Sequence, residues 1–237
     1  MNYERKNRKL DEMREIEAKV GVIKRADGSA MFRIGGTIAL AAVYGPRNLY
    51  PKFMQDPEKG ILRVNYNMIS FSVDERIRPG PSRRSKEISL VTENALRSCL
   101  NLEDFPNAVV DVFIEIIQAD AGTRCAGISA AAMALADAGI PMKDLVAAIS
   151  VGKLGDTLVV DLDKSEEDYK GGSTDMPVAM LPRNNKISLL QMDGNMSHEE
   201  IKKALEMAKN ACKKIYEIQR KALKEKYQGE AENDEQI

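Results

Sequence analysis

One segment constrains the fold of this chain more than any other: a glycine-containing turn that leads straight into an alanine-rich helix. Residues 121–129 read Ala-Gly-Thr-Arg-Cys-Ala-Gly-Ile-Ser, and an alanine-rich run continues to Ala138. Gly139-Ile140-Pro141 then ends the helix, because glycine favours helix C-termini and proline cannot continue the helix. The helix therefore has a sharply defined start, where its first N–H groups lack helical partners.

The start of this helix has the composition of an anion-binding site. The unpaired N–H groups and the positive end of the helix dipole attract an anion there, and Thr123 and Arg124 add a hydroxyl group and a fork-shaped cation. Arg83 and Arg84 also lie just before a helical pattern, so that two arginines from separate loops could clamp one phosphate. The alternatives are a simple packing turn and an ion pair between Arg124 and Asp120.

Hydrophobic periodicity predicts an α+β protein with mixed sheets and helices on one face. Apolar alternation indicates strands over 20–26, 29–34, 37–44, 62–73, 109–118, 145–151, 157–161, 177–181 and 186–192. Ser85 is expected to cap a helix that runs through Cys99, and Ser197 with Glu200 is expected to form the capping box of the last helix.

Two terminal segments stand out by their charge. Residues 1–19 are highly charged and are predicted to form an arm on the protein surface or on a neighbouring molecule. Residues 228–237 carry four acids and no base, and such a tail is predicted to be disordered. The predicted N-terminal domain, arm included, covers residues 1–143, and the C-terminal domain covers residues 144–227.

The amino-acid composition bears on nucleic-acid binding, on membrane insertion and on the cellular compartment. The net charge is −1, from 35 basic and 36 acidic residues, which argues against a generic nucleic-acid-binding protein. However, residues 76–86 hold five cations and no acid; such a patch is typical of either a polyanion site or a solvated loop. The sequence has no apolar run long enough to span a membrane, and its three scattered cysteines indicate a reducing cytoplasm.

The acidic loop between residues 163 and 175 is the candidate source of acid–base or metal chemistry. It contains Asp163, Glu166, Glu167, Asp168 and Asp175, and such carboxylates serve as general acids, ligate Mg²⁺ or are simply solvated. Asp175 is the best candidate because it opens an apolar segment at the edge of the core. By contrast, Cys125 is expected to be a packing residue and His198 an exposed one, because a cysteine nucleophile usually needs a nearby base.

A series of motifs in fixed order resembles the RNase PH family. The motifs are Arg25-Ala26-Asp27-Gly28-Ser29, Ala42-Val43-Tyr44-Gly45-Pro46, Arg83-Arg84-Ser85-Lys86-Glu87-Ile88, Asp120-Ala121-Gly122-Thr123-Arg124, Ala134-Leu135-Ala136-Asp137-Ala138-Gly139-Ile140-Pro141 and Asp175-Met176-Pro177. Within the family, the chain is most similar to the catalytic RNase PH-like subunits of archaeal exosomes, from about residue 8 to residue 227. The resemblance implies a ribosomal protein S5 domain 2-like fold in two related halves.

The resemblance also implies an activity, a phosphate-dependent 3′→5′ exoribonuclease acting on single-stranded RNA. Inorganic phosphate, the co-substrate, would attack the terminal phosphodiester and release a nucleoside diphosphate, and the reverse reaction would add 3′ tails. The implied phosphate-binding residues are Arg84, Gly122, Thr123 and Arg124. The implied RNA contacts are Arg83, Tyr50, Lys52 and Arg63. For the last three, an ordinary surface loop is the alternative.

Asp168 and Asp175 are similar to the family's carboxylate pair. One would act as general acid at the leaving 3′ oxygen, and the pair would supply ligands for Mg²⁺. The two aspartates are seven residues apart instead of the family's six, which we interpret as a one-residue insertion that Gly171 and Gly172 absorb. Asp163 and Glu167 are therefore alternatives to Asp168.

The resemblance implies an assembly as well: a cytoplasmic hexameric ring of three heterodimers with a related, inactive RNase PH-like subunit, joined by RNA-binding cap proteins. One rival is a homohexameric RNase PH that trims tRNA 3′ ends. The other is a non-catalytic, RNA-binding ring subunit. That last rival predicts the loss of Arg84, Arg124 or Asp175, and all three are present.

Overall fold

The computed structural model describes residue 5 and residues 8–234, with side chains described up to residue 228. The strands of the described chain are β1 Ile16–Val20, β2 Gly28–Ile34, β3 Thr37–Asn48, β4 Ile61–Met68, β5 Ala108–Gln118, β6 Ala147–Leu154, β7 Thr157–Val160, β8 Ser173–Leu181 and β9 Lys186–Leu190. Its α-helices are α1 Arg83–Arg97, α2 Thr123–Asp137, α3 Lys164–Glu167 and α4 His198–Asp234.

The strands form two sheets that share α2 as a common core helix. The first sheet has the order β1-β2-β3-β5-β4 and is antiparallel except for the parallel pair β4–β5. The second has the order β7-β6-β8-β9 and is antiparallel throughout. Helix α2 packs against β2 and β3 of one sheet and β6 of the other, and nearly all of its residues are buried. The domain boundary predicted at residue 143 falls between α2 and β6.

Small residues allow α2 to lie unusually close to the first sheet. A Cβ atom on Gly28 would come within 2.2 Å of the backbone nitrogen of Ala138, so that only glycine fits where β2 crosses the end of α2. The alanine-rich sequence of the helix serves the same purpose, because short side chains let two layers of strands approach it from opposite sides. The α+β architecture predicted from hydrophobic periodicity is confirmed.

The structure corrects the expected N-terminal strand. Residues 20–26 were predicted to form it, but β1 is Ile16–Val20, inside the segment predicted as an arm, and residues 21–27 form the connecting turn. The strand β1 lies at the edge of the first sheet, where it pairs only with β2 among the described strands. The alternation of polar and apolar residues in 16–20 was obscured by the high charge of the surrounding segment.

Helix α1 begins earlier than predicted. Its N-cap is Ser82, not Ser85, and the two serines form a capping box: the Ser85 N–H donates to Ser82 Oγ at 3.0 Å, and the Ser82 N–H donates to Ser85 Oγ at 2.8 Å. In the sequence, Ser82 and Ser85 are both suitable N-cap residues. The direction from which the chain enters the helix determines which of them takes that position. The correction matters because it moves Arg83 and Arg84 into the first turn of the helix.

Helix α4 closes the fold against both sheets. Its predicted capping box is confirmed, with Ser197 N–H to Glu200 Oε2 at 2.7 Å and Glu200 N–H to Ser197 Oγ at 3.3 Å. The helix continues to Asp234, through most of the segment for which a disordered tail was predicted; residues 235–237 lie outside the described residues. None of the described helices combines the length and the apolar character needed to cross a membrane.

Candidate active site

The parallel pair β4–β5 brings two helix starts to one edge of the first sheet. Helix α1 follows β4, and α2 follows β5. Because the two strands point the same way, both helices begin at the same edge, near the carboxyl ends of the strands. Arg84 and Arg124, each in a first helical turn, consequently line one cleft with a volume of about 570 Å³, together with Gly122, Thr123 and Asp175.

The turn before α2 leaves the start of that helix open to a ligand. Ala121 and Gly122 both adopt left-handed backbone conformations, with φ of 58° and 62°. Gly122 is the N-cap residue, and no side chain caps the helix. The buried Thr37 holds the turn: its hydroxyl donates to the Ala121 carbonyl at 2.6 Å and accepts from the Asp120 N–H at 2.9 Å.

Thr123 is held in place from the side of the sheet. The Tyr66 hydroxyl, on β4, donates to Thr123 Oγ1 at 2.9 Å. Since that bond uses a lone pair of the Thr123 oxygen, the Thr123 O–H stays available as a donor. Burial raises the pKa of Tyr66, against a smaller opposing effect of its hydrogen bond to Thr123, so that the tyrosine keeps the proton that it donates.

The two arginines of the cleft retain donors that the rest of the described chain does not use. The alternative of an ion pair between Arg124 and Asp120 is wrong, because Arg124 Nη1 donates to Gln191 Oε1. The buried Nε of Arg124 has no hydrogen-bond partner among the described residues. Gln191 in turn donates to Glu87 Oε1 on α1 at 3.3 Å. Arg84 is exposed and forms no hydrogen bond or ion pair within the described chain. The cleft thus holds positive charge that is free to bind an anion.

Asp175 faces these arginines from the second sheet. Ser150 of β6 donates to Asp175 Oδ1, and the backbone of Asp175 pairs with that of Asp193 at 2.9 and 2.8 Å. Burial raises the pKa of Asp175 above its ordinary value, although Ser150, Arg124 and Arg84 act in the opposite direction. A carboxyl group with a raised pKa retains its proton closer to neutral pH, as a general acid requires.

Glu167 is half-buried in the cleft, whereas Asp168 is exposed. Asp168 follows the end of α3, is 64% exposed and forms an ion pair with Lys164 at 2.9 Å. Glu167 lines the cleft beside Asp175 and Arg84. Burial and the neighbouring charge of Asp175 raise the pKa of Glu167, against opposing effects of Lys164, Arg84 and the Gly122 N–H. Asp168 lines an adjoining pocket, which Arg84, Arg124 and Asp175 also line.

These two carboxylates decide how well a magnesium ion would fit. Mg²⁺ is usually held by one or two carboxylates together with substrate phosphates, and the negative charge of Asp175 raises the pKa of Glu167. A cation beside Glu167 would offset that effect. No group of three or more His, Cys, Asp or Glu suited to a metal ion occurs among the described residues. Glu167 and Asp175 are therefore the carboxylates of the cleft that could hold such an ion.

The predicted RNA contacts lie in two places. Arg83 lies beside Arg84 in the first turn of α1. Tyr50, Lys52 and Arg63 lie at the other end of the first sheet; we call these three residues the distal cluster. Arg63 follows the start of β4, five residues from Met68 in the cleft, a separation of about 17 Å along a strand. Tyr50 is 67% exposed, whereas Arg63 is held by Asp111 at 2.7 and 2.9 Å.

Sequence reasoning missed the residues that hold the site together. Ser150, Gln191 and Thr37 contact site residues that are distant in sequence, and no local pattern marks them. The interpretation of Cys125 as a packing residue is confirmed, because it is buried and burial raises the pKa of its thiol. His198 is exposed at the first residue of α4, as predicted.

The chain matches two family models in succession. Residues 12–141 match domain 1 of the 3′ exoribonuclease family (RNase_PH), and residues 144–211 match domain 2 of the same family. It is 53% identical over 223 residues to the exosome complex component Rrp41 of Methanopyrus kandleri, covering 94% of this chain and 92% of that protein. It is 56% identical over 220 residues to the Rrp41 of Thermococcus gammatolerans, covering 93% of this chain and 88% of that protein.

Two solved structures share the architecture. Rice Rrp46 superposes with a TM-score of 0.80 at 27% identity, covering 92% of this chain and 98% of that one. A chain of the Archaeoglobus fulgidus exosome, solved with RNA bound to the active site, superposes with a TM-score of 0.76 at 22% identity, covering 89% of this chain and 90% of that one.

Proposed function

Since this chain belongs to the RNase PH family of 3′ exoribonucleases, we propose that it is the catalytic subunit of an exosome and degrades single-stranded RNA from the 3′ end with inorganic phosphate. The products are nucleoside diphosphates and an RNA one nucleotide shorter at each turnover. The reverse reaction adds nucleotides to 3′ ends from nucleoside diphosphates.

One observation carries this proposal: the convergence of Arg84, Arg124 and the open start of α2 in a single cleft opposite Asp175. The arginines and the helix start suit an anion, and the buried Arg124 Nε lacks a partner among the described residues. The carboxyl group with the raised pKa suits proton donation. Nucleophile site and acid thus face each other across a space where a phosphodiester fits.

The geometry supports a direct displacement at phosphorus. An oxygen of inorganic phosphate, held by Arg84, Arg124, Gly122 and Thr123, attacks the terminal phosphodiester. A bond forms from that oxygen to phosphorus, the bond to the 3′ oxygen breaks, and the leaving oxygen takes the proton of Asp175. Because two anions must meet, neutralisation of charge by arginine is the largest requirement of the reaction.

Magnesium binding and proton donation are divided between the two carboxylates. A carboxyl group that ligates a metal cannot carry the proton at the same time, so we assign the ionised form to Glu167 and the protonated form to Asp175. Glu167 would hold a magnesium ion, and that ion would supply charge neutralisation. Asp168, the other candidate for this role, is exposed and pairs with Lys164.

The assembly follows from the same premise. We propose a cytoplasmic hexameric ring in which three copies of this chain alternate with a related inactive subunit, and RNA-binding cap proteins deliver the substrate. The names of the relatives, exosome complex components, support this. So do exposed apolar side chains on and beside the edge strand β9, namely Ile187, Leu190 and, on α1, Leu90, because such residues mark protein interfaces.

The test is to incubate the purified chain, alone and with its ring partner, with poly(A) in the presence and absence of inorganic phosphate. Release of ADP only with phosphate is the expected result. Release of AMP without phosphate would point to hydrolysis and overturn the proposal. Absence of activity in the assembled ring would favour the non-catalytic rival.

A further inference from the structure

We propose that Arg14, which lies just before β1, is a positioning residue that holds the two walls of the cleft in register. One wall is the phosphate turn, defined as Asp120–Gly122. The other is the acidic segment, defined as Asp161–Glu167, which ends at the cleft carboxylate. The inference rests on the proposed function in one respect, that the phosphate turn binds inorganic phosphate.

Arg14 binds the acidic segment through Asp161. Its Nε donates to Asp161 Oδ2 at 2.9 Å, its Nη2 donates to Oδ1 at 2.7 Å, and its backbone N–H donates to Oδ2 at 2.8 Å. The side chains are 8% and 3% exposed. A bidentate pair with so little access to water has a fixed geometry, because both partners lose hydration if the pair opens.

The same guanidinium group binds the phosphate turn. Nη1 of Arg14 donates to the Asp120 carbonyl and, at 3.2 Å, to Asp120 Oδ2. Asp120 also accepts from the Lys164 N–H of α3 at 3.2 Å, so that this residue is tied to the acidic segment twice. Displacement of Asp120 would also move Gly122 and Thr123, because they follow it by only two and three residues in the chain.

The fold makes room for this side chain. A Cβ atom on Gly35 would lie 2.4 Å from the Cδ atom of Arg14, and Gly35 adopts a left-handed φ of 54°. Arginine is required because its planar fork presents donors in two directions, whereas a lysine at this position reaches one wall at a time. Arg14→Lys keeps the charge and breaks the bridge.

The substitution should leave the protein folded. Arg8 Nη1 also donates to Asp161 Oδ2 at 3.2 Å, so Asp161 keeps a cationic partner when the Arg14 fork is lost. A second variant, Asp120→Asn, weakens the bridge from the other side, at a side chain that is 37% exposed. The control is Lys226→Met, which removes the ion pair of the buried Asp137 at 2.8 Å, far from the cleft.

The experiment measures two quantities on the assembled complex. The first is the dissociation constant of inorganic phosphate by calorimetry, which we expect to rise by roughly tenfold or more in Arg14→Lys, since a displacement of about 1 Å in a site can cost 100-fold in rate. The second is hydrogen–deuterium exchange of residues 119–125, which we expect to be faster in both cleft variants. Lys226→Met should lower thermal stability without changing either quantity.

The outcomes separate the two proposals. If the wild-type complex binds no phosphate, the proposed function fails, while faster exchange in the phosphate turn of Arg14→Lys would still support the positioning role. If phosphate binds the wild type and both variants equally and exchange is unchanged, Arg14 is only a structural residue and the inference is overturned. If Lys226→Met weakens phosphate binding as much as Arg14→Lys does, the effect reflects stability and the inference is likewise overturned.

Discussion

The cleft and the distal cluster hold their side chains in different ways. In the cleft, every predicted phosphate-binding residue lies at the start of a helix. The side chains that hold the site in place belong to segments distant in sequence, namely Thr37, Tyr66, Ser150 and Gln191. In the distal cluster, Tyr50 and Lys52 lie on an exposed loop. Of these three residues, Arg63 alone has a fixed partner within the described part of the chain, the carboxylate of Asp111.

This difference corresponds to two tasks of an exoribonuclease, catalysis and RNA binding. A preorganised site stabilises charge that develops at one atom, and small displacements there are costly. An exposed cation and aromatic ring hold an RNA backbone and its bases without reading sequence, and they tolerate movement. Substitutions in the cleft should therefore reduce turnover strongly, and substitutions in the distal cluster should reduce RNA affinity weakly.

The largest effect is expected for Asp175→Asn. The amide keeps the shape of the side chain but donates no proton to the leaving oxygen, so kcat should fall roughly 10²- to 10⁴-fold. Release of ADP from poly(A) measures the rate, and fluorescence anisotropy with labelled RNA should show nearly unchanged binding. An equal loss of binding and turnover would instead assign Asp175 a structural role.

The pH dependence of Asp175 tests the same assignment. In the wild type, kcat should fall as the pH rises through the raised pKa of Asp175, because the ionised carboxylate cannot donate a proton. Arg124 lowers that pKa, so in Arg124→Met the descending limb of the profile should move to higher pH. A limb that stays in place would exclude Asp175 as the titrating acid.

Arg124→Met should also weaken phosphate binding, by the next largest margin. The loss of charge-assisted hydrogen bonds costs about 1.5–3 kcal/mol, or roughly ten- to a hundredfold in KM for phosphate. Initial rates at varied phosphate concentration provide the measurement, with KM for RNA as the internal reference. A change confined to KM for RNA would mean that Arg124 binds RNA and not inorganic phosphate.

A matched pair of substitutions compares the two acids at the end of α3. Glu167→Gln should raise the Mg²⁺ concentration for half-maximal activity by about tenfold, because it removes a charged ligand. Asp168→Asn should leave activity unchanged, since exposed ion pairs such as that with Lys164 contribute little. The reverse ranking, measured by magnesium titration of phosphorolysis, would restore Asp168 to the catalytic pair.

Lys52→Gln should have the smallest effect. Loss of one phosphate contact should lower the slope of log affinity against log salt concentration by about 1, with no change in kcat on a short RNA. Lys221→Gln, an exposed lysine of α4, serves as the control. A slope that does not differ between the two variants would remove Lys52 from the RNA path.

Local patterns in the sequence predicted much of the fold. Val110, Val112, Ile114 and Ile116 alternate in β5 and are all buried as expected, because a sheet face is encoded by neighbours in sequence. The phosphate turn was predictable for the same reason. The start of α1 was not, because the sequence offers two serines as caps and the structure uses both.

The sequence could not decide between Glu167 and Asp168. They are adjacent in sequence, and the orientation of α3, which the arm arginines Arg5 and Arg8 tie down through Glu166, determines which one faces the cleft. Likewise, Gln191 reaches Arg124 only after β9 has paired with β8. Contacts of this kind depend on tertiary packing, and a single sequence carries no local sign of them.

The position of α2 between the two sheets has a consequence for the synthesis of this enzyme. A nascent chain that has emerged only as far as residue 143 contains the phosphate turn, but one side of its apolar helix lacks the sheet that covers it, and the acid of the cleft is still absent. Asp175, the proposed acid, and Gln191, which accepts a hydrogen bond from Arg124, both lie in the last third of the chain. If Asp175 supplies the proton as proposed, phosphorolysis starts only after synthesis has passed that residue, so that a shorter nascent chain cannot degrade the message that encodes it.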